Sequence, residues 1–109
     1  MTRGDIVIVA AKGAYTGKPR PALVVQADAY NPTHASVTIC PITTDLADAP
    51  LFRVTLPPGI LSGLGTISQV MVDKIVSVPR TRVSRQIGRC DHSQMTSVET
   101  ALKGWLALD

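Results

Sequence analysis

The most informative segment of the sequence is an arginine between two prolines, followed by an apolar run: Lys18-Pro19-Arg20-Pro21-Ala22-Leu23-Val24-Val25-Gln26. Each of its prolines fixes its own φ and pushes the preceding residue toward extended geometry. The apolar run that follows is continuous rather than alternating, which is typical of a strand buried on both faces. The stretch therefore predicts a buried strand whose entrance carries one stiffly held guanidinium, that of Arg20.

Other short segments, rich in β-branched residues or alternating in polarity, predict further strands on either side of this one. They are residues 6–10, 36–42, 51–56 and 66–72, with a last edge strand within 80–89. Residues 73–78 either continue the strand 66–72 or bend into a sixth strand. Asn31-Pro32 predicts a turn, and Pro41 suggests that its strand ends there or lies at a sheet edge. The chain is thus expected to be mainly β.

The hydrophobic period changes to a helical one near the end of the sequence. The apolar residues that recur at helical spacing are Met95, Val98, Leu102, Trp105 and Leu106. Asp91 precedes them as a candidate N-cap, with Gln94 in the capping-box position. We therefore expect one amphipathic helix that packs on the strands through this stripe. The pattern predicts a single domain over residues 1–109, a small antiparallel barrel or half-open sheet closed by a C-terminal α-helix.

Composition restricts the classes of protein to which the chain could belong. Its 109 residues carry a net charge of +3, which permits a polyanionic partner without demanding one. No apolar run approaches the length of a membrane span, and the N-terminus lacks a signal core, so a cytoplasmic protein without a membrane partner is expected. Cys40 and Cys90 are expected in or near the core, and no metal site is predicted.

Arg20 opens one predicted strand, and Thr43 and Thr44 end the next. If the two strands are antiparallel neighbours, these side chains meet at the same rim. A fixed guanidinium can grip two phosphate oxygens, and a hydroxyl beside it can stabilise extra charge on a phosphodiester. RNA supplies its own 2′-hydroxyl nucleophile, so neither a metal nor a covalent intermediate is required. The alternative is a structural ion pair between Arg20 and Asp5 or Asp73.

The sequence leaves two alternative roles open for His34 and two for a group of four arginines. His34 follows the predicted turn, and an imidazole can act as an acid or a base, so it is either a surface histidine or an acid–base group. Four cations, Arg80, Arg82, Arg85 and Arg89, lie within ten residues without an acid among them. They form either a solvated edge or a set of phosphate contacts.

Several segments, in order, resemble the MazF/PemK/Kid family of toxin–antitoxin ribonucleases. They are Arg3-Gly4-Asp5-Ile6-Val7, Gly17 to Gln26, Cys40-Pro41-Ile42-Thr43-Thr44 and Val70-Met71-Val72-Asp73-Lys74-Ile75. The resemblance implies an SH3-like barrel of the CcdB/MazF type, usually as a homodimer. It implies a metal-independent, sequence-specific endoribonuclease that leaves a 2′,3′-cyclic phosphate and a 5′-hydroxyl on single-stranded RNA. It also implies a cognate antitoxin with an acidic C-terminal tail.

By position, the resemblance implies that Arg20 and Thr43 are catalytic and that no cofactor is needed. The residues expected to bind RNA are Lys12, Tyr15, Thr16, Lys18, Thr44, Lys74, Arg80 and Arg82. The chain departs from its relatives at Val76, where many members carry a cation. Two other functions fit the same fold: a toxin that binds a protein such as DNA gyrase, as CcdB relatives do, and a small barrel that binds RNA without cutting it.

Overall fold

The computed structural model describes residues 1–10 and 18–108 of the chain. Within them, strands come first and a helix comes last, as the sequence predicts. The elements are β1 (Asp5–Val9), β2 (Arg20–Val24), β3 (Ser36–Thr43), β4 (Arg53–Leu56), β5 (Ser68–Met71), β6 (Val76–Pro79), β7 (Val83–Arg89) and α1 (His92–Trp105). The fold is therefore mainly β with one C-terminal α-helix.

The strands form one antiparallel, barrel-like sheet in the order β4-β5-β3-β2-β1-β7, with β6 also paired to β3. The two ends of this order are β4 and β7, so β7 is an edge strand, as expected of the segment 80–89. The helix α1 packs against β4 and against the short 3-10 helix Val72–Lys74. The sheet is not closed.

The strand β3 is the most connected of the sheet, which contradicts the expectation that Pro41 marks an edge or an end. On one side β3 pairs with β2. On the other side, Ser36–Ile39 pair with β6 and Ile42–Thr43 pair with β5. Pro41 lies at the change of partner between β6 and β5, where a missing backbone N–H is tolerated. A proline is therefore accommodated within a central strand.

Among the strands whose bounds differ from those predicted, two show a physical reason. Residues 73–78 bend into a separate strand, the second of the two alternatives, because the 3-10 helix Val72–Lys74 turns the chain between β5 and β6. The strand β4 begins at Arg53 rather than at Leu51, whose side chain is 82% exposed in the preceding turn. Alternation in the sequence could not separate that turn from the strand, since Leu51 fits the alternating pattern.

Two hydrophobic clusters form the core. The larger contains Ile6, Leu23, Cys40, Val70 and residues of α1, and the smaller contains Val7, Val24, Val37 and Ile39. Successive residues of β1 and β2 belong to different clusters, because side chains alternate across a strand. This explains the continuous apolar run of β2, in which Ala22, Leu23 and Val24 are all buried.

The helix α1 begins as predicted. The Asp91 carboxylate accepts the Gln94 N–H at 2.7 Å, and the Gln94 side chain accepts the Asp91 N–H at 2.9 Å, which completes a capping box. Met95 and Val98 are buried as expected, whereas Trp105 and Leu106 remain 49% and 47% exposed. The predicted stripe is thus buried at Met95 and Val98 and only half-buried at its last two members, of which Trp105 contacts Phe52.

Over residues 1–10 and 18–108, no helix combines the length and the apolar character that crossing a membrane requires.

Candidate active site

The register between β2 and β3 brings Arg20 and Thr43 together. Ala22 pairs with Pro41, and continuing that register along both strands sets Arg20 opposite Thr43. Both residues line one pocket of about 250 Å³. The meeting of these side chains at one rim, which the sequence predicts for antiparallel neighbours, is therefore present in the structure.

Arg20 is exposed at the start of β2, with its guanidinium free of any described acidic partner. Asp5 accepts hydrogen bonds from the backbone N–H and the hydroxyl of Thr2, at 2.8 and 3.1 Å. Asp73 lies 3.4 Å from the Arg53 Nε instead. Within residues 1–10 and 18–108, no carboxylate lies within ion-pair distance of Arg20. The alternative of a structural ion pair with Asp5 or Asp73 is thus wrong.

The Thr43 hydroxyl is held in a defined orientation. Its oxygen accepts the backbone N–H of Asp45 at 3.0 Å, in a tight turn at the end of β3. A hydroxyl has one hydrogen to donate and two lone pairs to accept with. Because one lone pair is engaged by Asp45, the hydroxyl hydrogen is left to donate to an acceptor in the pocket.

The rest of the pocket wall comes from the loop that connects β4 to β5. Gly63, Gly65 and Thr66 line the pocket beside Arg20 and Thr43. Among the described residues that line it, Arg20 is the only charged one. The pocket therefore has one cation and several small or hydroxyl-bearing neighbours, which suits an anionic group of modest size.

The β4–β5 loop is held in place by close contact with β7. A side chain at Gly63 would overlap the carbonyl of Ile87, and one at Gly88 would overlap the backbone of Ser62. The Arg89 N–H donates to the carbonyl of Leu61 at 2.8 Å. Sequence reasoning missed this wall, because the contact joins segments far apart in the chain. The pair Gly63 and Gly88 was the available signal, since glycine often marks close backbone approach.

The residues expected to bind RNA divide into three groups. Lys12, Tyr15 and Thr16 lie outside the described residues. Lys18 and Thr44 are exposed, and Thr44 lines the pocket itself. The remaining three, Lys74, Arg80 and Arg82, do not line the pocket.

Lys74 and Arg80 lie apart from the rim that carries Arg20. Lys74 ends the 3-10 helix between β5 and β6 and is exposed. The Arg80 guanidinium donates to the backbone carbonyls of Asn31 and, at 2.9 Å, of His34, so it already holds the turn before β3. Much of its donor capacity is therefore used within the fold.

Arg82 and His34 lie at opposite ends of the strands that carry Arg20 and Thr43. The Arg82 carbonyl accepts the N–H of Ala10, and Val9 pairs with both Arg20 and Val83, so Arg82 lies at the Arg20 end of β1. His34 instead precedes β3 at the far end from Thr43, where its Nδ1 accepts the Ser36 N–H at 3.1 Å. The geometry therefore favours His34 as a surface residue of a turn rather than as an acid–base group of this pocket.

The two cysteines are buried free thiols, as predicted. Burial, with a smaller effect from the charge of Asp73, raises the pKa of the Cys40 thiol to about 12. Burial, together with Asp91, raises the pKa of Cys90 to about 11. Neither thiol is poised to act as a nucleophile. In the part of the chain that the structure describes, no group of histidine, cysteine and carboxylate side chains is arranged to hold a metal.

The chain resembles known proteins in both sequence and fold. The family model described as "PemK-like, MazF-like toxin of type II toxin-antitoxin system" matches residues 2–106. A Mycolicibacterium smegmatis protein named "Probable endoribonuclease MazF" is 45% identical over 108 residues, covering 99% of this chain and 98% of that protein. "Endoribonuclease MazF9" of Mycobacterium tuberculosis is 31% identical, covering 94% of this chain and 93% of its own.

Solved structures share the architecture over nearly the whole chain. A MazE–MazF crystal structure from Deinococcus radiodurans superimposes with a TM-score of 0.84 at 27% identity, covering 100% of this chain and 98% of that chain. The Mycobacterium tuberculosis toxin MazF-mt6 gives a TM-score of 0.82 at 28% identity, covering 96% of this chain and 98% of that chain. The expected barrel-like fold of the MazF type is confirmed.

Proposed function

Because the chain belongs to the family of PemK-like, MazF-like toxins of type II toxin–antitoxin systems, we propose that it is an endoribonuclease that cleaves single-stranded RNA, including mRNA. Cleavage is sequence-specific and independent of metal ions, and it inhibits translation and growth. The observation that supports this most directly is the shared pocket of Arg20 and Thr43, with no described acid to neutralise the guanidinium.

The pocket residues have complementary tasks in this reaction. The RNA 2′-hydroxyl loses its proton as its oxygen attacks the adjacent phosphorus. The bond from phosphorus to the 5′-oxygen breaks and that oxygen gains a proton, so that a 2′,3′-cyclic phosphate and a 5′-hydroxyl result. The planar Arg20 fork holds the non-bridging oxygens and offsets the negative charge that grows on them. The Thr43 hydroxyl, oriented by the Asp45 N–H at 3.0 Å, donates to the same phosphate.

The flanking RNA is held by residues on both sides of the pocket. Thr44 and Lys18 are exposed beside Arg20 and contact the neighbouring phosphates. Lys12, Tyr15 and Thr16, which lie outside the described residues, are included in the proposal as residues that bind RNA. Lys74, Arg80 and Arg82 extend the positive field around the sheet, with Arg82 the nearest of the three to the Arg20 end of β1.

The family membership also supports three statements about how the protein operates. It works as a homodimer in the cytoplasm. A cognate antitoxin neutralises it, as suggested by the MazE–MazF complex of Deinococcus radiodurans. The acidic C-terminal tail of that antitoxin competes with RNA for the guanidinium of Arg20, since a carboxylate and a phosphate fit the same planar fork.

The test is cleavage of a long single-stranded RNA by the purified protein in the presence of EDTA. Discrete fragments that carry 2′,3′-cyclic phosphate and 5′-hydroxyl ends are expected. A protein that binds RNA without cutting would retard the RNA and leave it intact. Intact RNA together with inhibition of purified DNA gyrase would instead establish the CcdB-like alternative.

A further inference from the structure

Gln69 is a buried polar residue on β5, only 7% exposed, next to the Thr43 end of β3. Its Cα partner across the sheet is Thr43 on one side and Thr55 on the other. A buried amide side chain is costly unless both its oxygen and its nitrogen find partners. The hydrogen-bond partners of the Gln69 amide therefore indicate its structural role.

The Gln69 amide forms a two-point clasp on one residue of the loop that follows β3. Its Oε1 accepts the backbone N–H of Ala47 at 2.9 Å. Its Nε2 donates to the carbonyl of the same Ala47 at 3.0 Å. Two hydrogen bonds to a single residue fix the orientation of its peptide units as well as their position. The loop 44–50 is thus held to the sheet at its middle, four residues beyond the end of β3.

The clasp constrains the turn that orients the Thr43 hydroxyl. One end of the segment 43–47 is fixed because Thr43 belongs to β3, and the other because Gln69 holds Ala47. Asp45 lies between these two points, and its N–H donates to the Thr43 oxygen at 3.0 Å. Gln69 does not line the pocket, so any effect on the site passes through this loop.

We propose that Gln69 is a positioning residue for the RNA-cleaving site, whose clasp on Ala47 holds the Thr43–Asp45 turn and so presents the Thr43 hydroxyl to the phosphate. This inference rests on the proposed function. A small misplacement of a reacting group lowers the rate of a step far more than it lowers substrate binding. Loss of the clasp therefore lowers kcat and leaves KM nearly unchanged.

The test compares Gln69→Met with Gln26→Met. Both substitutions replace a loop-holding amide by an apolar side chain of similar length. Gln26 accepts the Thr38 N–H at 3.0 Å and donates to the Asn31 amide oxygen at 3.1 Å. It follows β2 at the end opposite to Arg20, so its loss affects stability without affecting the site.

Two measurements are made on each variant: amide hydrogen exchange by NMR, and kinetics on a short RNA that carries a site mapped with the wild-type protein. In Gln69→Met, the Asp45 and Ala47 amides exchange faster, and kcat falls about 10- to 100-fold with little change in KM. In Gln26→Met, those amides and kcat stay at wild-type values. If Gln69→Met does not fold, Gln69→Glu is measured, because it retains the acceptor for the Ala47 N–H.

Two results would overturn the inference. One is a Gln69 variant whose Asp45 amide stays as protected as in the wild type. The other is a variant whose Asp45 amide opens while kcat remains at the wild-type value. Failure of the proposed function is a separate result: the wild-type protein itself would then leave RNA uncut, while the exchange data would still report whether Gln69 holds the loop.

Discussion

Arg20 is a charged side chain at the entrance of a strand whose next residues are buried. Ala22, Leu23 and Val24 are all enclosed in the sheet, whereas Arg20 is exposed. The flanking prolines restrict the backbone before and after it. The guanidinium is thus placed by a stiff segment and is not neutralised by a described acid. The Arg20 guanidinium can therefore bind an anion without a change in the backbone of the strand.

Thr43 gives a prediction that separates its hydroxyl from its methyl group. Thr43→Val keeps the shape but removes the donor to the phosphate, so the cleavage rate is expected to fall about 100-fold. Thr43→Ser keeps the hydroxyl and should retain most of the activity. Single-turnover cleavage of one RNA by the three proteins checks this. Equal rates for the valine and serine variants would show that the hydroxyl has no part in the reaction.

The meeting of Arg20 and Thr43 could be predicted from the sequence because it needs only two neighbouring antiparallel strands. The clasp of Gln69 on Ala47 could not, because it depends on which strand pairs with the second edge of β3. That pairing changes from β6 to β5 within one strand. Periodicity carries no information about such a change of partner. Local patterns therefore predicted that Arg20 and Thr43 meet, but not the contact between Gln69 and Ala47 beside them.

The loop between β4 and β5 shows how one element completes a site that another begins. It lines the pocket with Gly63, Gly65 and Thr66 while it rests on the backbone of β7. The strand β7 ends the strand order and pairs with β1 on one edge, so the backbone groups of its other edge are available for this contact. The wall of the pocket is therefore only as stable as the contact between this loop and β7.

Two glycines of this loop give a matched pair of substitutions. Gly63 has φ +70°, and an added Cβ would meet the carbonyl of Ile87, whereas an added Cβ at Gly65 meets nothing within 4 Å. Gly63→Ala should lower the free energy of unfolding by at least about 1–2 kcal/mol from the left-handed conformation alone. Gly65→Ala should change it by less than about 0.5 kcal/mol. Urea denaturation measures both, and equal stabilities would contradict the described packing of the loop.

The capping box of α1 and most strand positions could also be predicted, since each depends on residues close in sequence. The exposed last turn of α1 could not. Trp105 fits the helical stripe as well as Met95 does, yet it is half-exposed and packs on Phe52, with ring centroids 5.5 Å apart. How far the sheet extends under a helix is a property of the assembled fold.

Both cysteine thiols are buried in the folded protein. Cys40 and Cys90 are 0% and 2% exposed, and burial raises their pKa values from an ordinary 9.0 to about 12 and about 11. The thiol form is favoured in the folded protein, so this contribution to stability is complete below about pH 8.5 and is lost as pH rises toward these values.

Alkylation by iodoacetamide at pH 8.5 is the corresponding measurement. The folded protein should react much more slowly than the same protein in denaturing urea, because only the unfolded chain exposes ionisable thiols. The free energy of unfolding should also decrease as pH rises above about 8.5. Rapid modification of either cysteine under native conditions would contradict the core described above.

The most direct measurement compares RNA cleavage by the wild-type protein, Arg20→Ala and Arg89→Ala. Arg20 and Arg89 are both exposed and pair with opposite ends of β1, with Val9 and Asp5 respectively. Each substitution therefore removes the same charge from the same sheet. Arg20→Ala should fold normally and lose about 100- to 1,000-fold in cleavage rate, whereas Arg89→Ala should cleave at nearly the wild-type rate. Cleavage by folded Arg20→Ala at the wild-type rate would contradict the assignment of this pocket as the active site.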